Sequence, residues 1–354
     1  MEGLVNARRA LARFAGCRVL VTGHTGFKGS WLSLWLTRLG AQVTGFSDTV
    51  PTEPSHFAAL GLRLDDCRGD ICDHAALDSV VGKAAPEIIF HFAAQSLVRK
   101  AYAQPRRTFE TNILGTLAVL EAASRHGVRA VVVATTDKVY RNDESGRRYK
   151  EDDELGGTDP YSASKSCAEL AVRSYRDSFV RDGEMLLATV RAGNVIGGGD
   201  WAPDRLMPDL MRAAFGPGVA LIRNPASTRP WQHVLDVLTG YLQIGAGLLS
   251  GDRSMVGPWN LGPRSPASIR VEQLLEAVRA QVPELKVEIR PDEGHRPESG
   301  FLQIDSTKAM TRLGWEPRWE GEMLERTIGW YRAFCRDGLV VSSNQLDTYE
   351  EVLV

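Results

Sequence analysis

Three glycines, each three residues after the last, separate an apolar run from a helical pattern near the N-terminus. The run is "CRVLVTG" (17–23), the glycines are Gly23, Gly26 and Gly29, and apolar residues at helical spacing follow over 30–40. A glycine turn lets the chain bend tightly, lets main-chain N–H groups approach a phosphate, and lets the helix pack closely on the strand. This segment therefore predicts a strand–turn–helix unit that binds a dinucleotide.

Further apolar runs continue the alternation of strand and helix. Strands are expected within 41–46, 87–94 and 129–136, and the segment 111–127 predicts a long helix between the last two. Runs that are apolar throughout are typical of strands buried on both faces, as in a parallel sheet covered by helices. The first half of the chain thus predicts an α/β fold with a Rossmann-type doubly wound parallel sheet.

The second half alternates less regularly and contains more Pro, Trp and Arg. "VEQLLEAVRAQV" (271–282) predicts a helix and "KVEIR" (286–290) a strand. We expect an NAD-binding domain at 1–190, with segments returning to it from about 230–262. Residues 191–354 would then form a smaller, mixed α/β domain that binds the substrate, so the boundary is discontinuous.

The composition is that of a cytoplasmic globular protein. A net charge of −2 gives no general attraction to nucleic acid or to anionic membranes. No apolar run approaches the roughly 18 residues that span a bilayer, and the N-terminus lacks the apolar core of a signal peptide. The five cysteines have no zinc spacing and the seven histidines form no cluster, so we expect reduced thiols and no metal.

The ends of the second and third predicted strands bear on the choice of dinucleotide. Ser47 or Asp48 occupies the position of an acid that binds ribose hydroxyls. No Arg or Lys follows at once to receive a 2′-phosphate, which favours NAD over NADP. Asp70 and Ile71 lie where adenine could be contacted, unless they form only a polar turn, and Lys28 could either touch a phosphate or remain solvated.

Two further motifs predict a reaction centre. Tyr161 and Lys165 lie four residues apart on a helix that Asp159 can cap, so they share one face. A phenol has a pKa near 10, but a neighbouring ammonium and the positive charge of bound NAD⁺ favour the tyrosinate, which can take a proton from a sugar hydroxyl. The predicted strand 129–136 leads into "TTDK" (135–138), more functional groups than a plain turn needs.

Together these motifs resemble the extended short-chain dehydrogenase/reductase superfamily, nearly from end to end. The resemblance implies that Thr136 holds the reacting oxygen, that Tyr161 transfers the proton, and that Lys165 tunes Tyr161 and binds the nicotinamide ribose. "HFAAQS" (91–96) and "TN" (111–112) match cofactor and core segments of this superfamily. The implied cofactor contacts are Gly23, Thr25, Gly26, Phe27, Gly29, Asp70, Ile71, Ala93, Ala94, Thr111, Tyr161 and Lys165.

A narrower resemblance is to the nucleotide-sugar 4,6-dehydratases, and among them to the branch that acts on CDP-glucose. "GHTGFKGSWL", the Thr-Asp-Lys run, "DPYSASK", "AGNVIGGGDW" and "RPWQHVLD" carry it. It implies a lyase that forms CDP-4-dehydro-6-deoxy-D-glucose and water by transient oxidation at C4, elimination across C5 and C6, and hydride return to C6. Protonated Asp137 would donate to the departing C6 hydroxyl. Lys138 would either remove the C5 proton or stabilise the enolate while another group or a water moves it.

The same resemblance implies a substrate-binding set and leaves alternatives open. The set is Gln95, Val98, Arg99, Thr136, Asn194, Arg229, Trp231 and Arg296. A homodimer or homotetramer is expected from the resemblance alone. The alternatives are another nucleotide-sugar 4,6-dehydratase, a C4 epimerase, or a non-catalytic dinucleotide-binding sensor. A pure binder would not need the proton-transfer tyrosine, which argues against the sensor.

Overall fold

Parallel strands followed by helices dominate the computed structural model, which describes residues 7–180, 185–264, 269–290 and 302–353. The strands within these ranges are β1 (Arg18–Thr22), β2 (Gln42–Ser47), β3 (Asp65–Arg68), β4 (Ile88–His91), β5 (Ala130–Ala134), β6 (Arg148–Tyr149), β7 (Leu186–Ala192), β8 (Asn194–Ile196), β9 (Ala220–Ile222), β10 (Thr228–Arg229), β11 (Trp231–His233), β12 (Gly257–Leu261), β13 (Ile269–Arg270), β14 (Val287–Ile289) and β15 (Gln303–Ile304).

The helices occupy most of the connections between these strands. They are α1 (Ala7–Leu11), α2 (Phe27–Arg38), α3 (His56–Leu60), α4 (His74–Ala84), α5 (Val98–Ala103), α6 (Pro105–Phe109), α7 (Gly115–Arg125), α8 (Pro160–Phe179), α9 (Leu206–Phe215), α10 (Val234–Leu249), α11 (Val271–Gln281), α12 (Thr307–Leu313), α13 (Met323–Asp337) and α14 (Ser342–Glu351). Short 3₁₀ turns lie at Ala12–Phe14, Asp137–Val139 and Arg253–Met255, and a π-helical turn lies at Glu110–Leu114.

Seven strands form one parallel sheet in the order β12-β7-β5-β4-β1-β2-β3. The chain winds outward in one direction from β1 through β2 to β3, then crosses back to β4 and continues the other way. The crevice at the carboxyl ends of β1 and β4 is where ligands bind in such sheets. The predicted doubly wound α/β fold is confirmed.

Two apolar layers cover the two faces of this sheet. On one face Leu77, Val119 and Val172 of α4, α7 and α8 pack against the sheet. On the other face α2 and α10 pack, with Trp31 and Leu235 in the core. Every residue of β4 and β5 is buried, as expected for strands that are apolar on both sides.

Small strand pairs and helices beyond the large sheet make up the mixed α/β region. β8 pairs with β11 and β9 with β14, both parallel, while β10 pairs with β13 antiparallel. β12 lies beside β7 at the edge of the large sheet, so part of the second half returns to it. The domain limits at 190 and 191 stay a prediction.

Two helices differ in extent from the sequence-based expectation. α2 begins at Phe27, before the expected start at 30, because Gly26 serves as its N-cap residue. The segment 111–127 is not one α-helix, since the π-helical turn precedes α7. The Asn112 side chain in that turn accepts a hydrogen bond from the Gln95 N–H (2.9 Å) and donates to its carbonyl (3.0 Å). In the described part of the chain, no helix combines the length and apolar character needed to cross a membrane.

Candidate active site

A cleft of about 980 Å³ opens at the carboxyl ends of the large sheet. It runs from the glycine turn, past the end of β5 and the start of α8, to the wall formed by β8, β11 and α9. Every residue that the sequence predicts for cofactor, catalysis or substrate lines this cleft, except Arg296, which lies outside the described residues. Residues far apart in sequence are therefore brought to one site.

The glycine turn has the shape of a phosphate cradle. A Cβ at Gly29 would lie 2.1 Å from the Gly23 carbonyl oxygen, and one at Gly23 would lie 2.6 Å from the Ala93 nitrogen, so both positions exclude side chains. At Gly26 the nearest atom would be 3.4 Å away, so a side chain there would fill open space at the cleft. Gly26 begins α2 without a side-chain cap, which leaves main-chain N–H groups for an anion. These features fit a bound dinucleotide diphosphate.

Ser47 and Asp48, the two candidates for the ribose-binding position, both line the cleft but have different surroundings. Ser47 is buried, and its hydroxyl lies 2.9 Å from His24 Nδ1, so it serves the interior. Asp48 is exposed and lines the cleft. Farther along, the Asp70 carboxylate accepts from the Cys72 N–H (2.9 Å) and pairs with Arg107 (2.5 Å). Asp70 thus enters the cleft as half of an ion pair rather than as an isolated acid.

The residues that follow β5, Thr136 and Asp137, are buried beside the segment that leads into β8. Thr136 Oγ1 donates to Asp137 Oδ1 at 3.0 Å. Asp137 is only 2% exposed, and burial raises the pKa of its carboxyl, which favours the protonated acid. A Cβ at Gly193, just before β8, would lie 3.1 Å from Asp137 Oδ2, so the acid packs directly on that segment.

Helix α8 delivers Tyr161 and Lys165 to the same place. The Asp159 side chain caps α8 by accepting from the N–H groups of Tyr161 and Ser162, each at 3.0 Å. Lys165 Nζ donates to the Ala134 carbonyl oxygen at 3.0 Å. Strand β5 and helix α8 are therefore joined at the reaction centre.

In the protein without ligands, burial is the main influence on the pKa of Tyr161 and on that of Lys165. It raises the pKa of Tyr161 to about 12, although a hydrogen bond with Thr136 acts in the opposite direction. Burial, together with the nearby charge of Lys28, lowers the pKa of Lys165 to about 7. In the protein without ligands burial disfavours the phenolate, so formation of the tyrosinate would need further positive charge, such as that of bound NAD⁺.

The far wall holds the residues predicted for the substrate. The pairing of β8 with β11 places Asn194 opposite Trp231, and Arg229 on β10 lies two residues before Trp231. Among the described residues, the buried Trp231 Nε1 has no hydrogen-bond partner, so it can donate to a ligand. The Gln95 side chain is already engaged, since it accepts from the Leu97 N–H (2.7 Å) and donates to Thr108 Oγ1 (3.0 Å).

Several cations that line the cleft were not assigned from the sequence, Arg205 and Lys28 among them. Arg205 pairs with Asp200 (3.0 Å) and donates to Ser96 Oγ (2.9 Å). Lys28 Nζ lies 5.7 Å from the centre of the Phe92 ring, and burial with the charge of Arg205 lowers its pKa to about 8. Arg205 belongs to no motif with a characteristic spacing, so the sequence did not mark it. For Lys28, the glycine turn allowed either a phosphate contact or exposure to solvent.

The histidines near the cleft have structural partners rather than metal-binding geometry. His24 Nε2 lies 2.9 Å from Asp66, and His91 lies between the hydroxyls of Thr22 (2.7 Å) and Thr116 (3.0 Å). Within the described ranges, no group of three or more His, Cys, Asp or Glu side chains converges as a metal site would require.

A glycine turn at the crossover of a parallel sheet, with Thr136, Tyr161 and Lys165 in one cleft above it, defines the class of extended short-chain dehydrogenase/reductases. The chain belongs to the GDP-mannose 4,6-dehydratase family, whose profile matches residues 20–328.

Individual relatives narrow the likeness further. The chain is 44% identical to CDP-glucose 4,6-dehydratase of Salmonella typhimurium, over 94% of this chain and 96% of the relative. It is 30% identical to dTDP-glucose 4,6-dehydratase of Streptomyces antibioticus, over 89% and 92% of the two chains. The crystal structure of dTDP-glucose 4,6-dehydratase from Streptomyces venezuelae with NAD bound is 26% identical and superposes with a TM-score of 0.76, covering 89% of this chain and 96% of that one.

Proposed function

We propose that the chain is an NAD-dependent lyase that converts CDP-D-glucose to CDP-4-dehydro-6-deoxy-D-glucose and water. The similarity to a CDP-glucose 4,6-dehydratase along almost the whole chain supports this choice of reaction and nucleotide. The observation that carries the proposal is Asp137, a buried acid with a raised pKa beside Thr136 and in the cleft of Tyr161. Oxidation and reduction at C4 alone would not need this second acid, whereas expulsion of the C6 hydroxyl does.

The residues at the glycine turn fit NAD. Main-chain N–H groups in the first turn of α2, directly after Gly26, would hold its diphosphate. Asp48 would hold a ribose and Lys165 the nicotinamide ribose, while the remaining predicted contacts line the same part of the cleft. The chemistry that NAD supplies when bound is a reversible hydride transfer, from C4 at the start and back to C6 at the end. No arginine or lysine directly follows Asp48, which supports NAD over NADP.

Tyr161 and Thr136 would manage the proton of the C4 hydroxyl. Thr136 is close enough to lower the pKa of Tyr161, so one substrate oxygen placed between the two side chains could contact both hydroxyls. Tyr161 then takes the proton as C4 is oxidised. The positive charge of the cofactor offsets the cost of a buried tyrosinate.

Asp137 and Lys138 would carry the elimination. The 4-keto group acidifies the C5 hydrogen, and Asp137 donates its proton to the C6 hydroxyl as water leaves. Lys138 is half-buried at the cleft and close enough for its charge to act on Asp137. It either removes the C5 proton or stabilises the enolate, and both alternatives require it on this wall.

The nucleotide would bind along the wall of β8, β10 and β11. Arg229 supplies a cation whose charge also reaches Asp137, which would place the diphosphate near the reaction centre. Trp231 supplies a planar ring and an unpartnered donor, and Asn194 lies beside it. Val98 and Arg99 at the start of α5 would line the sugar, with Arg99 3.8 Å from Asp204.

The deciding experiment is incubation with CDP-, dTDP- and GDP-glucose or GDP-mannose, with and without added NAD⁺. Loss of one water by mass and the 4-keto chromophore in alkali would be followed, with Tyr161→Phe as the matched inactive control. Water loss from CDP-glucose alone supports the proposal. Water loss from another nucleotide sugar corrects the substrate, a C4 epimer without water loss removes the elimination role of Asp137, and no reaction while NAD still binds favours the sensor.

We also propose that the protein assembles through the outer faces of the π-helical turn and α8, as a homodimer or as a homotetramer containing that pair. Leu114 and Leu170 are 51% and 43% exposed on two helical segments that pack against each other. Large apolar side chains clustered on one surface are typical of a protein–protein contact.

A further inference from the structure

Helix α8 carries a third functional side chain one turn beyond Lys165. Tyr161, Lys165 and Glu169 follow one another at intervals of four residues, so they share one face of the helix. Glu169 pairs with Arg191 of β7 at 2.7 Å, and each of these two side chains is only 3% exposed. None of the proton or hydride steps proposed above uses this buried ion pair.

The Glu169 carboxylate has a full set of donors. Thr135 Oγ1 donates to one carboxylate oxygen at 2.5 Å. The other oxygen accepts from Thr189 Oγ1 at 2.8 Å and from the Arg191 guanidinium at 2.7 Å. Burial alone would raise the pKa of Glu169, but the charge of Arg191 and these hydrogen bonds outweigh it and lower the pKa. The carboxylate is therefore held in its ionised form. An ionised carboxylate, paired with Arg191, therefore lies directly behind the reaction centre.

Lys165 and Glu169 form hydrogen bonds with consecutive residues at the end of β5. Lys165 Nζ donates to the Ala134 carbonyl oxygen, and Glu169 accepts from the Thr135 hydroxyl. Thr136 is the next residue. Glu169 is thus part of the hydrogen-bond network that aligns β5, which leads into Thr136, with α8, which carries Lys165.

A positive charge, opposite in sign to that of Glu169, acts on Lys165 from the cleft. Lys28 lies on the first turn of α2, above the Phe92 ring, and both lysines line the cleft. Its charge and that of Lys165 repel, and the two residues share a site that burial already makes unfavourable for cations. Lys28 therefore destabilises the charged form of Lys165, which Glu169 stabilises.

The other titratable groups near Lys165 are neutral or already balanced. His91 of β4 faces it, but burial lowers the pKa of that imidazole to about 3. Tyr161 is neutral in the protein alone, and Arg191 is paired with Glu169. Among the described residues, the charged groups that act on the pKa of Lys165 are Lys28, which lowers it, and Glu169, which raises it.

We propose that Glu169 and Lys28 are positioning residues that set the charge of Lys165 in opposite senses. Glu169 holds the ammonium protonated from the buried side, and Lys28 destabilises it from the cleft. Both act while the hydrogen bond from Lys165 Nζ to the Ala134 carbonyl oxygen fixes the lysine against β5. The inference deepens the proposed function, because it uses the Tyr161 and Lys165 chemistry of that reaction.

The test compares the alkaline limb of the pH–rate profile among three variants. Rising pH deprotonates Lys165, so activity that needs the ammonium is lost as pH passes its pKa. Glu169→Gln removes the supporting charge, and the limb should move to lower pH by on the order of one unit. Lys28→Met removes the opposing charge, and the limb should move to higher pH by on the order of one unit. Thr189→Val, the matched control, deletes a hydrogen bond to the same carboxylate without changing any charge, and its limb should stay in place.

A second readout separates this inference from the proposed function. The affinity for NADH, measured by fluorescence against pH, reports the charge of Lys165 without turnover and should shift in the same opposite directions. If CDP-glucose is not a substrate, the binding profiles still decide the inference. Limbs that do not move, or that move in the same direction in both charge variants, would overturn it.

Folding of the variants is controlled separately. Glu169→Gln leaves the Arg191 guanidinium buried without its carboxylate and can fail to fold. The double variant Glu169→Gln/Arg191→Met removes the pair together and should still shift the limb downward. Lys28→Met alters only a side chain at the cleft, so its upward shift tests the proposal even if both buried variants are lost. An unmoved Lys28→Met profile in a folded protein would contradict it.

Discussion

At the scale of single residues, the acid role proposed for Asp137 can be tested by comparing oxidation at C4 with loss of water. Asp137→Asn keeps the size of the side chain but removes the proton that would be donated. Water loss should slow by roughly 10²–10⁴-fold, while formation of NADH in a single turnover should change much less. The two steps are measured by mass and by NADH absorbance.

A matched control for that prediction is Asp204→Asn. Asp204 also lines the cleft, and its backbone φ of 58° is one that asparagine tolerates. It should leave the ratio of the two rates unchanged. Equal slowing of oxidation and water loss in Asp137→Asn would remove the acid assignment.

The glycine turn allows a second residue-scale prediction. Gly26→Val should fold normally, because a Cβ there meets its nearest neighbour at 3.4 Å, but should weaken NAD binding at least ~10-fold by filling the cradle. Gly29→Ala should instead lower the free energy of unfolding by about 1–3 kcal/mol, because its Cβ would lie 2.1 Å from the Gly23 carbonyl oxygen. Calorimetric titration and urea unfolding check the pair. Unchanged NAD affinity in Gly26→Val would place the diphosphate elsewhere.

At the scale of elements, a buried acid on α10 joins it to the C-terminal helix α14. Asp236 accepts from the Arg318 N–H (2.6 Å) and the Tyr349 hydroxyl (2.8 Å) and is fully buried. Burial raises the pKa of Asp236 from its ordinary value of 3.8 to about 6. The folded protein therefore binds this proton more tightly than the unfolded chain does.

The sign of the resulting pH dependence follows from this difference. The stability that protonation of Asp236 gives is fully present below pH 3.8 and is lost as pH rises through about 6. Relative to Asp236→Asn, the wild type should lose roughly 3 kcal/mol of unfolding free energy over that window. Urea unfolding at a series of pH values checks this. Parallel stability curves for the two proteins would show that the carboxyl titrates as in the unfolded chain.

Elements are also the scale at which the sequence predicted most. β1, β4 and β5 were expected because their apolar runs are local patterns, and Asp159 before Pro160 marked the start of α8 for the same reason. The π-helical turn was not expected, since it contains the side chain of Asn112, which bonds to the main chain of Gln95, seventeen residues earlier. A local pattern does not contain that contact.

The residues of the candidate site also fall into two groups, those that a local sequence motif predicts and those that only packing brings together. Thr136, Tyr161 and Lys165 were predicted because each belongs to a motif. The Glu169–Arg191 pair, the setting of Lys28 and the unpartnered Trp231 Nε1 arise from packing between distant segments, so the sequence alone did not mark them.

At the scale of the whole molecule, the exposed leucines predict how the chain assembles. Leu170→Glu places a charge on the proposed contact face of α8, where the leucine is 43% exposed, and should dissociate the assembly with little loss of monomer stability. Sedimentation velocity measures the change. Leu221→Glu, at a residue 37% exposed on β9, is the matched control and should leave the mass unchanged. A wild type that sediments as a monomer would contradict the proposed assembly.

The two walls of the cleft come from different stretches of the chain. The side chains proposed for chemistry all precede residue 166, whereas Asn194, Arg229 and Trp231 follow residue 190 and stand on their own short strands. Mutations that alter which nucleotide is held can therefore accumulate without disturbing the proton-transfer residues. Over evolutionary time, such a layout lets descendants of one ancestral enzyme diverge in substrate while inheriting an unchanged reaction.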